Sequence, residues 1–176
     1  MTLLVIDIQK GITDSRLYDF ENFILRCQRL IEAARKNCIE VIYIQHDDGE
    51  GSGFSAGDEA YEIASQVEPN TDEKIFTKTI NSCFGNKELS KYLESKNEDT
   101  LMIIGLKTNF CIDASIKSAF ERGYKVIVPA GANSTADNDY MNKETTYRYY
   151  NEMMWPGRFA ECLSFEAAQK LIENSK

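Results

Sequence analysis

Residues 100–128 read TLMIIGLKTNFCIDASIKSAFERGYKVIV. Thr100 to Ile104 has the look of a strand covered on both faces, as strands of parallel sheets are, and it ends at Gly105. After Cys111, the residues Ile112, Ser115, Ile116, Ala119 and Phe120 recur at helical spacing. Gly123 supplies the helix stop, and Tyr124 to Val128 is a further β-branched run. Strand, helix and strand in this order form a crossover unit, which is the connection that parallel neighbours need.

The same alternation extends outward. Thr2 to Ile6 is a buried-strand run followed at once by Asp7. From Phe20, the positions Phe23, Ile24, Cys27, Leu30, Ile31 and Ala34 mark the inner face of a helix whose other face carries Glu21, Arg26, Arg29, Glu32 and Arg35. Ile39 to Gln45 is the next strand, and it leads into the glycine-rich stretch His46 to Gly53, which reads as a mobile loop. Lys74 to Lys78 is a short strand, and Asn86 caps a helix that turns Leu89, Tyr92 and Leu93 inward. Thr145 to Met154 is helical, Ala160 to Leu163 is a short last strand, and Ser164 caps a terminal helix burying Ala167, Ala168, Leu171 and Ile172. With no internal repeat and no linker, residues 1–176 form one domain. The fold class is α/β: a doubly wound, Rossmann-like parallel sheet of about six strands with helices on both faces. Ligands in such sheets bind beyond the carboxyl ends of the strands, which puts Asp7, Lys78 and Cys111 along one edge.

Composition narrows the function classes. A formal charge of −8 with no Lys/Arg run repels phosphate backbones and anionic lipid, so neither nucleic acid nor membrane is an expected partner. The apolar runs Leu3 to Ile6 and Leu101 to Ile104 are too short to span a bilayer. An odd number of cysteines, Cys27, Cys38, Cys83, Cys111 and Cys162, with no C-x-x-C pair, indicates free thiols in a reducing, cytoplasmic setting.

Among those thiols Cys111 has a distinct context, the passage from a buried strand into a helix. Peptide dipoles and unpaired N–H groups at a helix start favour a thiolate there, so a lowered pKa is expected. Cys83, close to Lys78 in sequence, is the second candidate nucleophile. The only histidine, His46, falls in the glycine-rich stretch and not beside a fixed element, which gives a Cys-His pair little support. Asp7 is placed to take the thiol proton and return it to a leaving amine, while Lys78 steadies both anions by charge. Gln9, Tyr43, Phe84 and Phe110 flank these positions and are expected to line a substrate pocket. Two rival readings fit less well. Gly51-x-Gly53-x-x-Ala56 matches a dinucleotide fingerprint, but Asp47, Asp48 and Glu50 repel a pyrophosphate. A noncatalytic, receiver-type signalling domain would require an aspartate where Lys78 stands.

Three segments resemble the isochorismatase-like cysteine hydrolases, the family of the nicotinamidase-related amidohydrolases. Leu4-Val5-Ile6-Asp7-Ile8-Gln9 is similar to the family's opening strand, aspartate and nearby amide. Phe76-Thr77-Lys78 with Asn81-Ser82-Cys83-Phe84 resembles the segment supplying its lysine, and Gly105-Leu106-Lys107-Thr108-Asn109-Phe110-Cys111-Ile112 resembles its nucleophile motif. The matches occur in family order and span nearly the whole chain. The resemblance implies an Asp7, Lys78 and Cys111 catalytic group, a cis peptide between Leu106 and Lys107, and an oxyanion hole from the amides of Lys107 and Cys111. It implies hydrolysis of an amide, imide or ureide C–N bond of a small molecule through a thioester, and homo-oligomeric assembly. Crowding of Tyr147, Tyr149, Tyr150, Met153, Met154, Trp155 and Phe159 into one late segment adds to the expectation of an oligomer. Nicotinamidases of the family hold a metal through an Asp-x-His segment and a further histidine. A chain with one histidine lacks that set; His46-Asp47-Asp48 offers a metal-like cluster, but it reads better as a solvated acidic loop, so no metal and no cofactor are expected. The loop Pro129 to Thr135 also departs from the acidic residue that many relatives carry after the fifth strand.

Overall fold

The computed structural model describes residues 1–175. The chain runs β1 (Thr2–Ile6), α1 (Phe20–Lys36), β2 (Glu40–His46), β3 (Lys74–Lys78), α2 (Lys87–Ser95), β4 (Thr100–Leu106), α3 (Asp113–Glu121), β5 (Lys125–Pro129), β6 (Asn133–Ser134), α4 (Lys143–Arg148), β7 (Glu161–Leu163) and α5 (Phe165–Glu173). The sheet is parallel throughout, in the order β3-β2-β1-β4-β5-β7, with the two-residue β6 pairing off this path with β4. Strand order therefore reverses between β1 and β4.

Side chains alternate across a strand, and this alternation divides the core into two layers. Leu3, Val5, Tyr43, Met102, Ile104 and Ile127 pack under α1 and α5, against Phe23, Cys27, Leu30, Ala168 and Ile172. Leu4, Ile6, Ile42, Ile44, Ile103 and Val128 face the other way, against Leu89 and Leu93 of α2 and Ile112, Ile116 and Ala119 around α3. Burying each such aliphatic side chain contributes roughly 1.5–3 kcal/mol, so the paired layers rather than local propensity hold the helices in place. The expected caps are present. Asn86 accepts from the amides of Glu88 and Leu89, and Ser164 accepts from that of Ala167.

Two helical segments widen into π-helical turns, Thr108–Ile112 before α3 and Tyr149–Met154 after α4. Their marks are i to i+5 bonds, Ile112 N–H to Lys107 O at 3.2 Å and Trp155 N–H to Tyr150 O at 3.0 Å. The second turn absorbs most of the late aromatic cluster into the chain's own core. Trp155 is fully buried with its indole N–H donating to Asp113 Oδ1 at 2.9 Å, Tyr150 packs on it, and Phe159 meets Phe120 edge-on. Only Tyr149 and Met153 of that cluster remain exposed. Among the described residues no helix is long and apolar enough to cross a membrane.

Candidate active site

The strand ends beside the reversal in strand order bring together residues far apart in sequence. Asp7 follows β1 with its backbone in the left-handed region, φ 54°, a conformation that aspartate tolerates better than most residues, and its N–H donates to Ile44 O at 2.9 Å. Gly105, at φ 129°, lets β4 run against β1 at this level, because a Cβ there would stand 2.0 Å from Ile6 O. The peptide after Leu106 is cis, and Cys111 lies in the π-helical turn beyond it.

Lys78 ends β3, two strands away from Asp7, and its fully buried side chain reaches across the end of β2. Its Nζ lies 2.8 Å from Asp7 Oδ2 and 3.2 Å from Cys111 Sγ. The second oxygen of Asp7, Oδ1, is buried and has no partner among the described residues, which leaves a free acceptor on a carboxylate that lies within 4.8 Å of the Cys111 sulfur.

Burial sets the electrostatics of this group. Desolvation pushes the Cys111 thiol up to about 12, the Asp7 carboxylate adds to the rise, and the Lys78 ammonium only partly opposes it. The lowered thiol pKa expected from a helix start is therefore corrected: the dipole acts over one turn, whereas burial and the carboxylate act directly on sulfur. Burial also raises Asp7 above the ordinary carboxylate range, against the pull of Lys78. Burial therefore favours the neutral thiol, beside a carboxylate made more basic by the same burial.

His46 also departs from expectation. It is the last residue of β2, in register with Lys78, and not part of a mobile loop. Its Nδ1 lies 3.0 Å from Lys78 Nζ and its Nε2 lies 2.9 Å from Asp48 Oδ1. The glycine-rich stretch beyond it continues as turns, and Glu59–Tyr61 is its next helical turn, so the fingerprint around Gly51 and Gly53 lacks the helix start that phosphate binding needs.

A cavity of about 370 Å³ opens on Cys111 and is also lined by Asp7, His46, Lys107 and Phe110. Phe110 is half-exposed there. The other expected lining residues lie elsewhere. Gln9 is buried and spends its amide on main chain, accepting from His46 N–H at 2.8 Å and donating to His46 O at 3.0 Å and Tyr61 O at 2.8 Å. Tyr43 faces α1 in the core beside Arg35, and Phe84 stacks on Tyr124 beneath Arg122. Neither strand-end proximity nor aromatic character reveals which face a side chain takes. The cavity adds Asp48, from the acidic stretch after His46, Asn81, from the segment that carries Lys78, and Ile12 and Phe54, which no local pattern marks. The turn that carries Cys111 is tied to the loop after β5 by Thr108 Oγ1 donating to Asn133 Oδ1 at 2.7 Å and Thr135 Oγ1 donating to Asn109 Oδ1 at 2.6 Å. Thr108 belongs to a segment that the sequence marks out, whereas its partner could not be read from spacing.

Cys83, the second candidate nucleophile, is fully buried in the apolar layer, and its backbone N–H donates to Ser115 Oγ at 3.0 Å. Burial holds its thiol at about 11.

Donor atoms of Asp7, His46 and Cys111 lie within 4.8 Å of one another, a spacing that can hold a metal ion. The set does not fit one, because the Lys78 ammonium bonds to all three and a divalent cation would have to displace it from a fully buried position.

The sequence matches the Isochorismatase domain over residues 1–164. A streptothricin hydrolase of Streptomyces noursei is 28% identical over 137 residues, a match covering 77% of this chain and about half, 54%, of that protein. A ureidoacrylate amidohydrolase of Yersinia enterocolitica is 24% identical over 203 aligned positions, covering 92% of this chain and 88% of its own. The crystal structure of a cysteine hydrolase from Pseudomonas syringae superposes with a TM-score of 0.90 at 24% identity, covering 99% of this chain and 93% of that one. With the domain match spanning all but the last residues, and with the doubly wound sheet and the strand-end cluster in hand, the chain belongs to the isochorismatase family.

Proposed function

We propose that this protein hydrolyses a C–N bond of a small amide, imide or ureide through a thioester on Cys111. The observation that carries the reading is one buried ammonium, Lys78 Nζ, bonded at once to a carboxylate and to the candidate nucleophilic sulfur at the mouth of a cavity of small-molecule size. The names of the streptothricin hydrolase and the ureidoacrylate amidohydrolase support hydrolysis at this site.

In this mechanism Asp7 takes the thiol proton as Cys111 Sγ attacks the carbonyl carbon. Amides of Lys107 and Cys111, at the start of the helical segment, receive the developing oxyanion. Asp7 then returns the proton to the nitrogen, the C–N bond breaks, and ammonia or an amine departs. Asp7 next takes a proton from water, hydroxide adds to the thioester, the acid leaves, and the proton goes back to sulfur. Because the resting thiol is held up by burial, its deprotonation is coupled to attack rather than completed beforehand. Homo-oligomeric assembly belongs to the same proposal, supported by exposed Phe120, Tyr149 and Met153 near the late helical segment.

A panel of primary amides, ureides and cyclic imides, followed by ammonia release and product mass, tests the reading. At least one compound is expected to turn over, and Cys111→Ala is expected to reduce turnover to background. Turnover that survives in Cys111→Ala would remove the thioester mechanism.

A further inference from the structure

Lys78 Nζ has three N–H bonds to donate, and the fold places three acceptors around it. Asp7 Oδ2 lies at 2.8 Å, Cys111 Sγ at 3.2 Å and His46 Nδ1 at 3.0 Å. The first two belong to the reaction already proposed. The third does not, yet it is the best anchored of the set. The main chain of His46 is clamped on both sides by the Gln9 amide, which accepts from its N–H and donates to its carbonyl. Its ring is held on the far side by Asp48 Oδ1, 2.9 Å from Nε2.

We propose that His46 is the positioning residue of this site: a neutral imidazole whose Nδ1 lone pair fixes the Lys78 ammonium between Asp7 and Cys111. An ammonium donates only, so Nδ1 must accept, which puts the imidazole proton on Nε2, where it donates to the Asp48 carboxylate. The line Gln9, His46, Lys78 then runs from a rigid main-chain clamp to the reacting sulfur. The arrangement answers a geometric problem. Lys78 starts two strands from Asp7 and carries four rotatable methylenes, so a side chain of that length needs a fixed acceptor along its path to hold its tip within bonding distance of sulfur. His46, in register with Lys78 on the intervening strand, stands on that path. The charged or titratable groups around its ring are Lys78, Asp7, Cys111, Asp48 and the adjacent Asp47.

The inference rests on the proposed cysteine chemistry, so its test uses a probe that needs no substrate: iodoacetamide at a fixed, mildly alkaline pH, with Cys111 alkylation read by peptide mass spectrometry. His46→Ala removes the acceptor and lets the ammonium drift from sulfur, so Cys111 is expected to alkylate about tenfold more slowly, the loss typical of one hydrogen bond to a charged group. His46→Asn puts an amide oxygen the same number of bonds from Cα as Nδ1 and is expected to restore the rate to within about twofold. With any panel amide that turns over, the His46→Ala loss should fall in kcat and leave KM nearly unchanged. Should His46→Ala fail to fold, Asp48→Ala is expected to slow alkylation, while Asp48→Asn, which still accepts from Nε2, is not. Wild-type rates in His46→Ala, or an equal loss in His46→Asn, would overturn the proposal. The expected alkylation order together with no amide turned over would remove the hydrolase reading and leave the role of His46 standing.

Discussion

Two short helical turns on the same side of the sheet each bury a thiol in the same apolar layer, one at Cys83–Gly85 and the other at Thr108–Ile112. In sequence Cys83 is the closer to Lys78. In space it is Cys111 that meets the ammonium and opens on the cavity, while Cys83 is sealed beneath Phe84 and the α3 face. Burial raises both thiols, to about 11 for Cys83 and about 12 for Cys111, so acidity does not separate the two candidate nucleophiles. What separates them is a carboxylate with a free oxygen, an ammonium at bonding distance and room for a substrate.

The largest expected effects put that contrast to the test. Cys83→Ala should leave kcat within about twofold of wild type, because its sulfur touches none of the proposed machinery. Asp7→Asn keeps shape and removes the proton acceptor, and should lower kcat on the order of 10²-fold with little change in KM. Lys78→Met should cost a comparable factor, and the double variant should be little worse than either alone, because the residues act as one unit. Steady-state kinetics on the panel substrate decides this. A large kcat loss in Cys83→Ala, or additive losses at Asp7 and Lys78, would break the comparison.

A backbone effect comes next. Gly105→Ala forces a Cβ into the Ile6 carbonyl at a positive φ, where the partner is main chain and cannot step aside. It should destabilise the fold by about 2 kcal/mol or more in urea unfolding, with loss of activity in the folded remainder. Gly85→Ala, in the Cys83 turn, would first meet the side chain of Ile80, which can shift, and should cost less. Equal costs would mean that the two strand ends are not held as tightly as the contact between β4 and β1 indicates.

The smallest effect lies in stability against pH. The ordinary thiol value is 9.0, and burial raises Cys83 and Cys111 above it in the folded state. An unfolded chain therefore releases these protons first as pH rises. The stabilisation is complete below pH 9.0 and is lost as pH climbs through about 11 and about 12. Melting temperature should fall across that window, and Cys83→Ala should make the fall shallower while leaving activity intact. An unchanged slope in that variant would place the alkaline loss elsewhere, with the Cys162 thiol, also raised by burial to about 11, as the first suspect.

Much of this molecule was legible in its residues. Unbroken apolar runs alternating with helical spacings specify a parallel sheet covered on both faces, and that alone puts Asp7, Lys78 and Cys111 beyond carboxyl strand ends. Caps at Asn86 and Ser164 and the stop at Gly123 were equally readable, because each acts within a few residues of chain. His46 reads as a loop residue in sequence, whereas β2 is prolonged through it by pairing with β3, and a pairing between segments about thirty residues apart leaves no local mark. Gln9, Tyr43 and Phe84 do not line the cavity on Cys111, because the direction a side chain takes depends on which layer has room for it. A helix start, visible in sequence, points to a low Cys111 thiol, and the thiol stands high because desolvation comes from the segments that close around it. Sequence by itself determined which groups reach the strand ends; tertiary structure decided how they face one another and how acidic they are, since both depend on atoms contributed by distant parts of the chain.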